Sequence, residues 1–222
     1  MKVGVVVFPG SNCDEDALHV VRDVFGHQAR LLWHKDRELH GSDYVILPGG
    51  FSYGDYLRCG AIARFSPVME EVAAFAKRGG PVLGICNGFQ ILTEAGLLPG
   101  ALLQNAGQHF LCRDVLVRAE GRGNRFTTGL SRSASFRLPI AHMDGRYFID
   151  EDGRKRLEGE GQVAFRYVDD NPNGSLAAIA GVANAAGNVL GLMPHPERNS
   201  EALLGNLDGR TVFAALLGAA SP

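Results

Sequence analysis

A single cysteine lies between two glycines in residues 83–92, LGICNGFQIL, where an apolar run ends and a helix can begin. Gly84-Ile85-Cys86-Asn87-Gly88 has the spacing of a nucleophile elbow, with cysteine in the place of serine. Such a turn is sharp, and it places the sulfur at a helix N-terminus, where negative charge is stabilised. Cys86 is therefore predicted to be a nucleophile. The alternative, an inert buried thiol, is the commoner state of a lone cysteine.

A base and an acid for this cysteine occur late in the chain, in Met193-Pro194-His195-Pro196-Glu197. Each proline restricts the residue before it to extended geometry, and side chains two positions apart on an extended segment point the same way. His195 and Glu197 are therefore expected side by side, so that the carboxylate orients the imidazole and supports its charged form. The predicted catalytic residues are Cys86, His195 and Glu197. The alternative is a histidine in an ordinary proline-rich turn.

Pro48-Gly49-Gly50 follows another apolar run, and its glycines allow the backbone to approach a substrate closely. Attack on an acyl carbon builds negative charge on oxygen, which amides about 2.7–3.1 Å away stabilise. The backbone N–H of Gly50 or Phe51, together with that of Asn87, is predicted to donate to this oxygen. Gly49 and Gly50 are expected to contact the substrate. Taken alone, this motif fits an ordinary turn equally well.

The order of apolar runs predicts an α/β fold with an open, mostly parallel, flavodoxin-like sheet and helices on both faces. Runs at 44–47, 81–85 and 189–193 end at the three motifs, and reactive groups gather at the carboxyl ends of parallel strands. Short β-rich pieces between residues 110 and 168 predict an antiparallel extension in the second half. No repeat or linker interrupts the sequence, so residues 1–222 are interpreted as a single domain.

Local signals define further elements. Ser66 is predicted to cap a helix that starts at Pro67 and stops at Gly79-Gly80. A hairpin is predicted over residues 179–193, turning at Ala186-Gly187-Asn188. The remaining predictions are strands at 2–8 and 29–34 and helices near 18–25, 88–95 and 211–217.

Composition excludes several classes of function. Hydrophobic residues make up 45% of 222 residues, the formal net charge is −2, and the N-terminus resembles a buried strand more than a signal peptide. Arg154-Lys155-Arg156 is flanked by acids and is interpreted as a solvated surface, so neither nucleic-acid nor membrane binding is expected. Four cysteines without CxxC spacing favour a reducing cytoplasm. Histidine spacing predicts no metal, and no ATP-binding P-loop motif occurs.

Together the three motifs resemble the class I (triad) glutamine amidotransferase family: a Pro-Gly-Gly loop, a Gly-x-Cys-x-Gly elbow followed by Gln90, and a late His-Pro-Glu. The resemblance covers nearly the whole chain. The stretches 51–63, 86–90 and 193–197 narrow it to a glutaminase subunit that serves a separate synthetase. It implies that Cys86 attacks the side-chain amide of glutamine and that Gln90 helps to hold this substrate.

The resemblance also implies partners. Ammonia would pass to a large synthetase subunit that binds ATP and magnesium, with a small third subunit bridging the two, and this chain itself would need no cofactor. One departure is visible, because the family pattern Ala-His-Gly-Glu-Gly appears as Ala141-His142-Met143-Asp144-Gly145. The role of the His142-Met143-Asp144 segment is therefore left open.

Three other interpretations compete with this one. The same chemistry fits a glutaminase for a different synthetase or a γ-glutamyl hydrolase. A flavodoxin-like cysteine stress or chaperone protein would need no glutamine, but such relatives often have histidine directly after the cysteine, where this chain has Asn87. A docking subunit with an inactive site is disfavoured, because every predicted catalytic role is filled.

Overall fold

The computed structural model describes residues 1–120 and 124–218, which form a mixed α/β structure with one nine-stranded and one two-stranded sheet. The strands are β1 (Lys2–Val7), β2 (Gln28–Trp33), β3 (Tyr44–Leu47), β4 (Val82–Ile85), β5 (Ala101–Leu103), β6 (Leu111–Ala119), β7 (Ser135–His142), β8 (Arg146–Phe148), β9 (Val163–Val168), β10 (Ile179–Ala183) and β11 (Val189–Leu192). The helices are α1 (Asp14–His19), α2 (Pro67–Lys77), α3 (Asn87–Glu94), α4 (Glu151–Gly159) and α5 (Asp208–Leu217).

Five parallel strands form the first half of the large sheet, in the order β2-β1-β3-β4-β11. This is the flavodoxin-like order, with the fifth position filled by a strand from near the end of the chain. Every residue of β3, β4 and β11 is buried. Strands covered on both faces are apolar throughout, which explains the continuous apolar runs of the sequence.

The sheet continues with the antiparallel strands β10, β9, β6 and β7. Burial alternates along β7, as expected for a sheet with one covered face. The hairpin of β10 and β11 has its turn at residues 184–188, and the predicted mostly parallel sheet with an antiparallel extension is confirmed.

Some local predictions need correction. Ser66 stands at the N-cap of α2, but its hydroxyl makes no cap and instead bonds to the Tyr53 hydroxyl at 2.9 Å. The helix predicted near 18–25 consists of two parts: α1 ends at His19, and a π-helical turn, Val20–Val24, follows it directly. Helix α4 and strands β5 and β8 were not predicted.

The basic triplet at 154–156 lies on α4, where Arg154 pairs with Glu151 at 2.7 Å.

The carboxyl ends of β1, β3, β4 and β11 come together at one edge of the sheet, and α3 packs against the last three of these strands. Each of the three sequence motifs therefore begins where one of these neighbouring strands stops. Within the described ranges, no helix is both long enough and apolar enough to cross a membrane.

Candidate active site

Cys86 lies in a strained turn between β4 and α3. Its φ of 50° and ψ of −105° are rare for a residue with a side chain. The flanking glycines are required sterically. A Cβ on Gly88 would lie 2.0 Å from the carbonyl oxygen of Leu47, and one on Gly84 would lie 2.6 Å from the carbonyl oxygen of Gly88. The turn thus has the geometry of a nucleophile elbow, as the spacing predicts.

His195 and Glu197 lie side by side, as expected, but the local reason differs. The segment is not extended throughout, because Glu197 lies in a 3₁₀ turn, Pro196–Asn199, that starts directly after His195. His195 Nδ1 is 2.6 Å from Glu197 Oε1, and both side chains are almost completely buried. The backbone N–H of His195 donates to the Pro139 carbonyl at 2.9 Å, which fixes the segment against β7.

Cys86 and His195 line the same small cavity, of about 30 Å³. Such a volume holds about one or two water-sized groups. The sulfur of Cys86 lies 3.7 Å from the carbonyl oxygen of Ala141, which also lines the cavity. The other lining residues are Asn12, Cys13, Gly50, Phe51 and Arg198. The structure therefore brings the predicted nucleophile and the predicted base together.

The electrostatics of the pair favour an imidazolium. Burial opposes the charged form, but the Glu197 carboxylate and the Cys86 sulfur outweigh it and raise the pKa of His195 well above its ordinary value. A charged imidazole beside a thiol at a helix N-terminus stabilises the thiolate, which is the nucleophilic form of cysteine. The arrangement can therefore attack an acyl carbon and then supply a proton to the leaving group.

One of the two alternative oxyanion donors is already engaged. The N–H of Phe51 donates to the Gly10 carbonyl at 2.9 Å, as part of an antiparallel bridge between Ser11 and Gly50. Gly50 occupies the non-hydrogen-bonded position of this bridge, so its own N–H is left available. Asn87 opens α3, and the first N–H groups of a helix have no intrahelical acceptor. Gly50 and Asn87 thus remain the predicted donors.

The glycine loop has no room for side chains at Gly49 and Gly50. A Cβ on Gly49 would lie 2.6 Å from His195 Cε1, and one on Gly50 would lie 2.7 Å from the backbone nitrogen of Asn12. Each position therefore lets another part of the site come close. Direct contact of Gly49 and Gly50 with a substrate stays a prediction.

Gln90 links α3 to the segment that departs from the family pattern. Its Nε2 donates to the Asp144 carbonyl at 2.6 Å, and its Oε1 accepts from Asn87 Nδ2 at 2.8 Å. Both ends of the side chain are thus engaged by protein groups. Substrate binding by Gln90 stays a prediction, and the observed contacts show that it holds the 141–145 segment next to the elbow.

His142 is buried within that segment and forms no ion pair with any residue of the described ranges, 1–120 and 124–218. Burial and the positive charge of His195 lower the pKa of His142 to about 4. Its Nδ1 lies 3.1 Å from Asn105 Oδ1, which also accepts from the N–H of Gly145. His142 is therefore a neutral side chain that helps to shape the segment.

Three neighbours of the predicted nucleophile were not among the predicted site residues: Cys13, Ala141 and Arg198. Cys13 follows β1, so the rule that groups gather at the carboxyl ends of parallel strands could have placed it here. Arg198 Nη2 donates to Cys13 Sγ at 3.0 Å. Ala141 contributes only its backbone carbonyl, and no residue-type signal in a sequence marks such a contribution.

Comparison with known proteins agrees with this geometry. Residues 1–210 match the family described as the CobB/CobQ-like glutamine amidotransferase domain. The chain belongs to this glutamine amidotransferase family.

Its relatives narrow the assignment. The chain is 56% identical, over 98% of its length and 97% of the relative's, to phosphoribosylformylglycinamidine synthase subunit PurQ of Trichormus variabilis. It is 55% identical to the subunit of the same name from Salinibacter ruber, over 97% of this chain and 95% of that one.

Solved structures share the fold of this chain, and one of them is also similar in sequence. A chain in the structure of PurLQS from Thermotoga maritima matches with a TM-score of 0.88 and 47% identity, covering 97% of both chains. A glutamine amidotransferase from the same organism matches with a TM-score of 0.59 and 16% identity, covering 96% of this chain and 80% of that one. At that identity the second match shows a shared fold alone.

Proposed function

We propose that the chain is the glutaminase subunit of phosphoribosylformylglycinamidine synthase. It hydrolyses glutamine to glutamate and ammonia and serves the ATP-dependent amidation of formylglycinamide ribonucleotide in de novo purine biosynthesis. The observation that carries the proposal is the shared cavity of Cys86 and His195, with His195 bonded to Glu197 at 2.6 Å, in a chain 56% identical to PurQ subunits over almost its full length.

The proposed chemistry follows from these residues. The thiolate of Cys86 attacks the side-chain carbonyl carbon of glutamine, and the N–H groups of Gly50 and Asn87 donate to the oxygen that becomes negative. His195 gives its proton to the departing nitrogen, ammonia leaves, and a thioester remains on Cys86. Water deprotonated by His195 then attacks the thioester and releases glutamate, while Glu197 keeps the imidazole oriented.

The partners follow from the same proposal. Ammonia passes to a large synthetase subunit that carries ATP and magnesium, and a small subunit bridges the two. The match to a chain of PurLQS supports an assembly of this kind. We expect the complex to act in the cytoplasm, where its thiols stay reduced.

The test is reconstitution. The chain should co-purify with the synthetase and the small subunit of the same organism, and glutamine-dependent amidation of formylglycinamide ribonucleotide should require all three. Ammonium salts should replace the chain, because only the nitrogen source is lost without it. Stimulation of glutamine hydrolysis by a different synthetase alone, or γ-glutamyl peptide hydrolysis without any synthetase, would instead support one of the rival enzymes.

A further inference from the structure

A second cavity, of about 440 Å³, lies where the chain leaves β2 and where α2 begins. Ligand pockets in proteins are typically about 300–1,000 Å³, so this volume is sufficient for a small organic molecule. Its lining residues differ from those of the smaller cavity that contains Cys86 and His195. The cavity is therefore separate from the candidate active site.

Three hydrogen-bonded side chains form the polar part of this cavity. The Tyr53 hydroxyl lies 2.7 Å from His34 Nδ1 and 2.9 Å from Ser66 Oγ, and all three residues line the cavity. Burial and the charge of Lys35 lower the pKa of His34, so the ring is neutral near pH 7. Within residues 1–120 and 124–218, His34 Nε2 makes no hydrogen bond, which leaves this atom available to a ligand.

The charges along the cavity favour an anion. Lys35 lines it and forms no ion pair in the described part of the chain. Arg37 lies 3.6 Å from Glu70, but both side chains are mostly exposed, and such pairs are weak. The carboxylate of Asp36 is engaged elsewhere, because it accepts from the backbone N–H of Trp33 at 2.9 Å. The positive end of the α2 dipole adds to the attraction.

An exposed aromatic ring stands beside these cations. Phe65 lines the cavity with 74% of its surface exposed, and the Arg64 guanidinium lies over the ring, 4.5 Å from its centroid. The guanidinium covers one face of the ring, so the other face can stack on a planar group. Nucleic-acid bases stack on aromatic side chains in this way, whatever the identity of the base.

We propose that this cavity binds a nucleoside monophosphate. The base stacks on the open face of Phe65, the phosphate lies at Lys35 and Arg37, and a sugar hydroxyl bonds to His34 Nε2. No other small-molecule class uses the aromatic face, the cations and the neutral polar group together as fully. The site does not depend on the proposed glutaminase function.

The direct test is isothermal titration calorimetry of the full chain with AMP, adenosine and inorganic phosphate. AMP should bind at one equivalent with a Kd below about 1 mM. Adenosine and phosphate should each bind at least about tenfold more weakly, because each lacks either the charged contacts or the stacking. Absence of AMP binding, or binding of either fragment as tightly as AMP, would overturn the proposal.

Variants locate the site. Lys35→Gln and Phe65→Ala should each weaken AMP binding at least about fivefold, and both side chains are exposed, so the fold should persist. The matched controls are Lys155→Gln and Phe148→Ala, which remove an exposed cation and an exposed ring elsewhere. Their affinities should stay within about twofold of the unmodified chain. Equal losses in cavity and control variants would contradict the assigned site.

A further readout needs no variant. In NMR spectra of the unmodified chain, AMP should shift the ring protons of His34 and leave those of His109, which is exposed, in place. Equal shifts for the two histidines would also overturn the proposal. None of these measurements involves glutamine, so failure of the nucleotide site and failure of the proposed glutaminase function are distinguishable.

Discussion

At the scale of single residues, proton handling in the site rests on how deeply His195 and Glu197 are buried. Water cannot screen the pair, so the carboxylate and the Cys86 sulfur together overcome the cost of burying an imidazolium. Because the pair is buried, replacing either His195 or Glu197 leaves the other side chain without its hydrogen-bond and charge partner. Single substitutions should therefore distinguish the roles of Cys86 as nucleophile, His195 as base and Glu197 as the group that orients the base.

Replacing Cys86 by alanine should lower glutamine hydrolysis by about 10⁵-fold or more, because the substitution removes the sulfur that is proposed to form the thioester. Circular dichroism and synthetase binding should stay unchanged, since the side chain is small and its hydrogen bond to the Ala141 carbonyl is long, at 3.7 Å. In the unmodified chain, diazo-oxo-norleucine should label Cys86 and spare Cys13, Cys59 and Cys112. Substantial activity in the variant, or labelling at another thiol, would contradict the assigned nucleophile.

Glu197→Gln should lower the turnover number by about 10³- to 10⁴-fold, because the amide cannot stabilise the charged imidazole. The pKa of His195 should fall in this variant, and NMR titration of its ring protons measures that fall. Glu201→Gln is the matched control, since Glu201 also accepts from a histidine, His19, at 2.9 Å, but the pair is about half exposed. If both variants lose activity equally, Glu197 has no specific role.

At the scale of elements, the elbow depends on close contact between α3 and its neighbouring strands. The contact of Gly88 with the Leu47 carbonyl explains why the motif needs a glycine there and not merely a small residue. This turn could be predicted from the sequence because every nucleophile elbow needs glycines at these two positions, where a side chain would strike the neighbouring backbone.

Gly88→Ala should reduce the free energy of unfolding by about 3 kcal/mol or more, because its Cβ would overlap a backbone oxygen that cannot move alone. Urea denaturation measures the change. Gly159→Ala is the control: nothing lies within 4 Å of its added Cβ, so it should be neutral or stabilising by up to about 1 kcal/mol. Equal denaturation midpoints for the two variants would show that the elbow is looser than the structure indicates.

Elements whose signals are local were predicted best. The buried runs β3, β4 and β11 were identified because strands covered on both faces have continuous apolar sequences. Helix α4 was missed because it is mostly polar and exposed, so its sequence lacks a strong apolar stripe. The prediction that the Ser66 side chain caps α2 was wrong, because its hydroxyl forms a hydrogen bond with the Tyr53 hydroxyl, which is distant in the sequence.

At the scale of the whole molecule, the mostly parallel sheet and its antiparallel extension were predicted from the sequence, but contacts between distant loops were not. The positions of Cys13 and Arg198 beside His195 depend on which strands are neighbours, and strand order is not written in any local pattern. The treatment of residues 1–222 as one domain remains a prediction.

The pH dependence of stability should carry the signature of His142. Its pKa is about 4 in the folded chain and about 6.5 when unfolded, so the unfolded chain binds the extra proton first as pH falls. The stabilisation that comes from keeping His142 neutral is fully present above pH 6.5. It is lost as the pH falls, and by pH 4 the loss in the free energy of unfolding is about 3 kcal/mol. His142→Asn, whose amide can replace the ring Nδ1, should lose less stability over this range in urea denaturation.

The control for this comparison is His109→Asn, because His109 is exposed. Its stability should fall with pH in parallel with the unmodified chain. If His142→Asn also runs parallel, the buried histidine does not govern acid sensitivity.

The pairing of β4 with β11 has a consequence for synthesis on the ribosome. Strand β4, which leads into Cys86, is synthesised well before its neighbour β11, because Val82 pairs with Val189, 107 positions later in the chain. If Cys86 and His195 act together as proposed, a nascent or prematurely terminated chain holds a thiol without its base. Incomplete products would then release no toxic ammonia and waste no cellular nitrogen.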